Sequence, residues 1–199
     1  PPTTERAMFL LILGLIVFFG PHSTRIWADP WRSAQIGRIG PGAWKGLYSL
    51  LSIAGLTMIV IGYGAARKAP IVLFTPPAWT QGVAAVLTLA AFVLLAASFI
   101  PGTRIKATVG HPMVLGVKVW ALAHLLANGT LADVLLFGSF LVWAIFNFRA
   151  SRQRDSRANI TYPAGPTSRD VMAVVIGAVT WVVFAFWLHG WMIGVQPFA

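Results

Sequence analysis

Trp79-Thr-Gln-Gly-Val-Ala-Ala-Val-Leu-Thr-Leu-Ala-Ala-Phe-Val-Leu-Leu-Ala-Ala-Ser-Phe-Ile100 carries no charged residue and is long enough to cross a bilayer. A helix rises about 1.5 Å per residue, so about 20 apolar residues span the hydrocarbon. The stretch Val171 to Gly194 repeats the pattern without charge. Four more runs follow the same rule: Ala7 to Gly20, extended past Pro21 by Ser23 to Trp27; Leu47 to Ala66; Pro112 to Ala127; and Leu131 to Phe148. The expected fold is all-α, a polytopic integral membrane bundle of about six transmembrane helices.

Composition agrees. Of 199 residues, 57% are hydrophobic and 10% charged, whereas about a quarter of a soluble domain is charged. One water-soluble core of this size does not hide that much apolar surface, so the lipid bilayer is the expected solvent. No Pro/Gly/Ser linker and no internal repeat divides the chain, which reads as one domain over residues 1–199. The chain starts Pro1-Pro2 without methionine, as a chain trimmed at its start would. Arg6 and the apolar run after it imitate a signal peptide, but no small-x-small cleavage site follows, so the segment is kept as a membrane helix.

The net charge is +10, and it sits in short loops. The first, third and fifth loops hold Arg25, Arg32, Arg38, Lys45, Arg104, Lys106, Arg149, Arg152, Arg154, Arg157 and Arg169, eleven cations against Arg6, Arg67 and Lys68 on the other side. The positive-inside rule then places the odd loops in the cytoplasm of a multi-pass inner-membrane protein, with both termini periplasmic. Basic loops flanking apolar spans face anionic lipid rather than nucleic acid. Trp27, Trp31, Trp44, Trp79, Trp187 and Trp191 cluster at the span ends, where amphipathic rings lie.

With no cysteine, thiolate ligands, disulfides and Cys nucleophiles are excluded. No phosphate loop, HExxH, GxSxG or carboxylate pair at membrane depth is present. An ion or proton transporter would show several intramembrane ionisable groups. Here only Asp133, which suits a helix start, and Lys118, which can snorkel, come close.

The remaining chemistry is carried by four histidines. His124 lies in an otherwise apolar span, with Asn128 four residues on the same face to orient its ring, and Ala121 and Ala127 leaving room for a flat cofactor or a second helix. His22 follows Pro21, whose missing N–H opens a carbonyl for a ring to bond, with Arg25 available to an anionic group such as a propionate. His111 precedes Pro112 and reads as a loop or N-cap residue; His189 reads as interfacial. Two histidines from different helices most commonly grip a haem. From the span midpoints His22 and His124 differ in depth by about 14 Å, so pairing His22 with His111, and His124 with His189, fits depth better.

Several motifs resemble the NnrU family: Gly20-Pro21-His22-Ser23-Thr24-Arg25, Trp44-Lys45-Gly46-Leu47-Tyr48-Ser49, Tyr63-Gly64 with Thr75-Pro76-Pro77-Ala78-Trp79, and Leu136-Phe137-Gly138-Ser139-Phe140. Arg104-Ile105-Lys106 through His111-Pro112-Met113 to Trp120-Ala121-Leu122-Ala123-His124-Leu125-Leu126-Ala127-Asn128-Gly129 is the most specific block. That family is associated with bacterial denitrification genes and is related to the haem b enzyme 15-cis-zeta-carotene isomerase. The resemblance implies haem b, with His22 and His124 as axial ligands and His111 matching a further histidine. It also implies either cis-trans isomerisation of a lipophilic polyene such as zeta-carotene, or a non-catalytic haem or assembly role in nitrite and nitric-oxide reduction. Oligomeric state stays unread.

Overall fold

Apolar runs bounded by proline, tryptophan and charge become helices, because in lipid only a helix satisfies every backbone N–H and C=O within one segment. The computed structural model describes residues 4–198; Pro1 and Pro2 lie outside them. Five helices are long and apolar enough to cross a membrane: α1 (Thr4–Trp27), α3 (Pro41–Ala66), α4 (Trp79–Phe99), α7 (Leu131–Arg157) and the span Ser168–Ile193. The last consists of α8 (Ser168–Val183), a π-helical turn (Phe184–Leu188) and α9 (His189–Ile193). A sixth apolar helix, α6 (Pro112–Ala127), has 16 residues, about 24 Å of rise against a hydrocarbon core of about 30 Å. Two helices join the spans: α2 (Asp29–Ile39) and α5 (Arg104–Val109). The chain is an all-helical multi-pass membrane protein.

All six expected segments are helical, with shifted limits. Pro21 sits inside α1 without ending it, so the first span is one helix of 24 residues. The fifth runs beyond Phe148 to Arg157, carrying Arg149, Arg152, Arg154 and Arg157 past the apolar stretch. No Gly or Pro follows Phe148 before Arg157 to stop it, and basic residues in a final turn suit the negative end of the helix dipole. The first loop, expected as connection alone, contains α2.

The structure divides into two compact units. The first comprises α1, α2, α3 and the segment Thr130–Ser139; the second holds Thr75–Gly129 and the chain from Phe140 onward. In the first unit α1 and α3 form an antiparallel hairpin whose backbones nearly touch. A Cβ added at Gly62 would meet Leu11 N at 2.5 Å, and one at Gly55 would meet Phe18 N at 2.6 Å. Small residues permit this approach, and close packing replaces the hydrophobic effect between helices in lipid. An isolated bridge between Val72 and Thr130, with Leu131 N–H donating to Ile71 C=O (2.8 Å), ties the loop after α3 to the start of α7. Those two loops therefore share a side.

In the second unit α4 takes α6 on one flank and α8 on another. A Cβ at Gly177 of α8 would stand 2.6 Å from Val93 Cα, while Trp181 Nε1–H donates to Thr88 Oγ1 (2.9 Å) across the same contact. The basic third and fifth loops interlock. Gly165 N–H donates to Gly102 C=O (2.8 Å), Arg169 Nη1 to Pro101 C=O (2.9 Å), and Ile105 N–H to Asp170 Oδ1 (3.1 Å). That the third and fifth loops share a side is what the span count requires of these two.

Candidate functional site

His22 belongs to the first unit. Its ring stacks on Phe18 with centroids 4.1 Å apart, and Tyr48 of α3 stands 4.9 Å away. Its Nδ1–H donates to the Phe18 carbonyl at 2.6 Å. The bonded carbonyl is thus one residue beyond that of Val17, the one a proline at position 21 deprives of its usual donor. A carbonyl only accepts, so the nitrogen facing it bears the proton and the neutral ring carries its lone pair on Nε2. Arg25 lies three residues on, in the last turn of α1.

His124 repeats this arrangement in the second unit. Its Nδ1–H donates to the Trp120 carbonyl at 2.9 Å, again four residues back, and the Trp120 ring lies 5.0 Å from the imidazole. Phe140 braces Trp120 edge-on at 5.5 Å. Ala121 and Ala123, three residues and one residue before His124, are fully buried. Asn128, expected to orient the ring, donates its amide to the backbone carbonyl of His124 (2.8 Å). That carbonyl also accepts the Asn128 backbone N–H (3.0 Å), so the C-cap residue donates to it twice; the ring takes its orientation from the Trp120 carbonyl.

His111 is different in kind. It occupies the N-cap of α6, as His before Pro predicts, and its Nε2–H donates to Asp155 Oδ2 at 2.8 Å. The same oxygen accepts from Tyr162 O–H at 3.0 Å. Here the nitrogen that donates is Nε2, where His22 and His124 donate from Nδ1. Lys106 Nζ lies 5.8 Å from the Tyr162 ring centroid. Burial raises the Tyr162 phenol above the usual tyrosine range, the Asp155 hydrogen bond and charge raise it further, and Arg152 opposes them. Asp155 and Tyr162 were not singled out from the sequence. The available signal is that Asp155 is the one acid among Arg149, Arg152, Arg154 and Arg157.

His189 Nδ1–H donates to the Val195 carbonyl (2.7 Å) and closes the turn at Gly194, in keeping with an end-of-span role. Lys118 Nζ lies 6.0 Å from the Phe148 ring centroid. Asp133, 5% exposed, forms a reciprocal cap with Thr130 at the start of α7: its Oδ2 accepts from Thr130 N–H (2.9 Å) and Oγ1 (2.7 Å), and its own N–H donates to Thr130 Oγ1 (3.3 Å). Its Oδ1 accepts from Tyr63 O–H at 2.6 Å, a partner seventy residues away that spacing alone does not reveal.

Among the described residues no three His, Asp or Glu side chains gather to hold a metal ion. Bare-metal sites of the zinc type need at least three such ligands. A macrocycle that brings four nitrogens to its own iron needs only one or two from the protein. Imidazoles fixed as Nδ1–H tautomers by a backbone carbonyl, with aromatic rings alongside, fit that demand.

The family model described as "NnrU protein" matches residues 10–197. No curated protein and no solved structure matches the chain.

Proposed function

The chain belongs to the NnrU family, and from that premise we propose that it is a haem b protein of the membrane, with His22 and His124 as axial-ligand donors. The supporting observation is their shared setting: each donates Nδ1–H to the carbonyl four residues back in its own helix, presenting Nε2 as the basic nitrogen. Locking the ring by this bond fixes tautomer and orientation and raises ligand basicity. Haem, when bound, supplies a one-electron couple in a setting poor in water. Phe18, Tyr48 and Trp120 exclude water from the two imidazoles, and Arg25 offers a charge for a propionate. The orientation that accompanies this proposal has the odd, basic loops in the cytoplasm of the inner membrane and the termini outside. A lipophilic polyene is the substrate class that the family resemblance suggests, since such a molecule reaches a site inside the bilayer without crossing water.

Absorption spectra of the detergent-purified protein, oxidised and then reduced with dithionite, test the proposal. The expected result is a Soret band that shifts on reduction, with sharp α and β bands. A protein without a Soret band, even after growth with haem precursor, overturns it.

A further inference from the structure

The first unit contains a groove that borders the His22 site, sharing Tyr48 with it, and extends beyond it toward α2. At the end of the α1–α3 hairpin a cavity of about 350 Å³ opens between α1, α2 and α3, lined by Val17, Gly20, Trp31, Trp44, Leu47 and Tyr48 among others. Its walls are almost wholly apolar, and its volume falls within the usual range for small-molecule sites, about 300–1,000 Å³. Trp31 and Trp44 meet edge to face at 6.1 Å.

The rim is basic. Trp31 is followed by Arg32 and Trp44 by Lys45, while Arg38 lies two turns along α2 from Trp31 and so on nearly the same face. Asp29 is the single acid between Arg25 and Lys45, and Arg32 holds it only loosely at 3.6 Å. Tyr48 lines the groove as well. Helix α2 has no buried residue, as befits a short amphipathic helix lying in the headgroup layer. An apolar slot walled by tryptophans, each followed in the chain by a cation, suits an amphiphile with one anionic head and a hydrocarbon tail.

We propose that this groove is a binding site for an anionic phospholipid, one acyl chain lying against Gly20, Trp44 and Leu47 and the phosphate held by Arg32. Charge complementarity selects the lipid: a zwitterionic lipid of the same chain length offers the same tail but no net charge to the rim. The site is separate in kind from the haem ligands, because it asks for apolar length and a cation and makes no use of a basic nitrogen.

Native mass spectrometry of the detergent-purified protein, titrated with phosphatidylglycerol or with phosphatidylcholine of identical chains, reads the site directly. Phosphatidylglycerol adducts are expected to survive at collision energies that strip phosphatidylcholine. Arg32→Gln should narrow that preference about fivefold, the pull of one basic residue on anionic lipid. Gly20→Phe fills the groove, and since nothing lies within 4 Å of a Cβ there, the helix tolerates it; the retained adduct should disappear while the protein still elutes as the wild type does. If Gly20→Phe does not fold, the Arg32→Gln titration decides alone. Equal retention of both lipids, or a preference unchanged in Arg32→Gln, overturns the proposal. So does a Gly20→Phe protein that keeps its lipid and loses a haem spectrum, because the groove would then belong to the macrocycle.

Discussion

The imidazoles within α1 and α6 and the imidazole at the N-cap of α6 use opposite nitrogens. His22 and His124 give Nδ1–H to a carbonyl of their own helix; His111 gives Nε2–H to a carboxylate contributed by another helix. In hydrocarbon the nearest acceptor is the backbone, and a helix presents its i−4 carbonyl to a side chain that leans toward the N-terminus. At the N-cap of α6 the Asp155 carboxylate of α7 is within reach and accepts instead. The same residue type thus gives Nδ1–H to its own helix in one place and Nε2–H to a carboxylate in the other.

Substitutions break this contrast most severely at the spans. His22→Ala and His124→Ala are each expected to lower haem retained after purification at least about tenfold, the scale on which metal sites lose affinity when their coordination is disturbed, whereas His111→Ala should stay within about twofold. Haem content per polypeptide, from the pyridine haemochrome, checks this. Next in size is the packing beneath the sites. Gly177→Ala pushes a methyl to within 2.6 Å of Val93 Cα, and overpacking of this kind costs about 1–3 kcal/mol, visible as a lower midpoint of thermal unfolding in detergent.

At the span end, Asp155→Ala strands both His111 Nε2–H and Tyr162 O–H. Both His111 and Asp155 keep some solvent contact, 22% and 16% of their side chains, so about 1–2 kcal/mol is expected rather than the cost of a buried charge. The smallest effect is at high pH. Because the folded state raises the Tyr162 phenol, its stabilisation is complete below about pH 10, the ordinary tyrosine value, and disappears as pH climbs through the raised value. Tyr162→Phe should remove that alkaline loss, and ultraviolet titration of the phenolate should show one late-titrating tyrosine missing.

The spans were legible because hydropathy needs no partner: a charge-free run such as Trp79–Phe99 has one stable arrangement in lipid whatever surrounds it. Helix starts at Pro41 and Pro112 were similarly local. Helix α2 was not foreseen, since a polar helix lacks the apolar run used to find the others. The site divides along the same line. The ring bonds of His22 and His124 lie within one helical turn, so a local rule reaches them, although Asn128 looked like the orienting partner until the helix end claimed it. Asp155 and Tyr63 pair with residues 44 and 70 positions away, and no spacing rule connects such distances before the fold is known.

Ferric protein grown on histidine labelled with ¹⁵N at Nε2, studied by pulsed electron paramagnetic resonance, tests the proposed use of the span histidines most directly. The expected spectrum is low-spin, with the iron coupled to two labelled Nε2 nitrogens, and it collapses in His22→Ala or His124→Ala while persisting in His111→Ala. A high-spin ferric signal, coupling to Nδ1 in place of Nε2, or a low-spin signal that survives both span substitutions would contradict it.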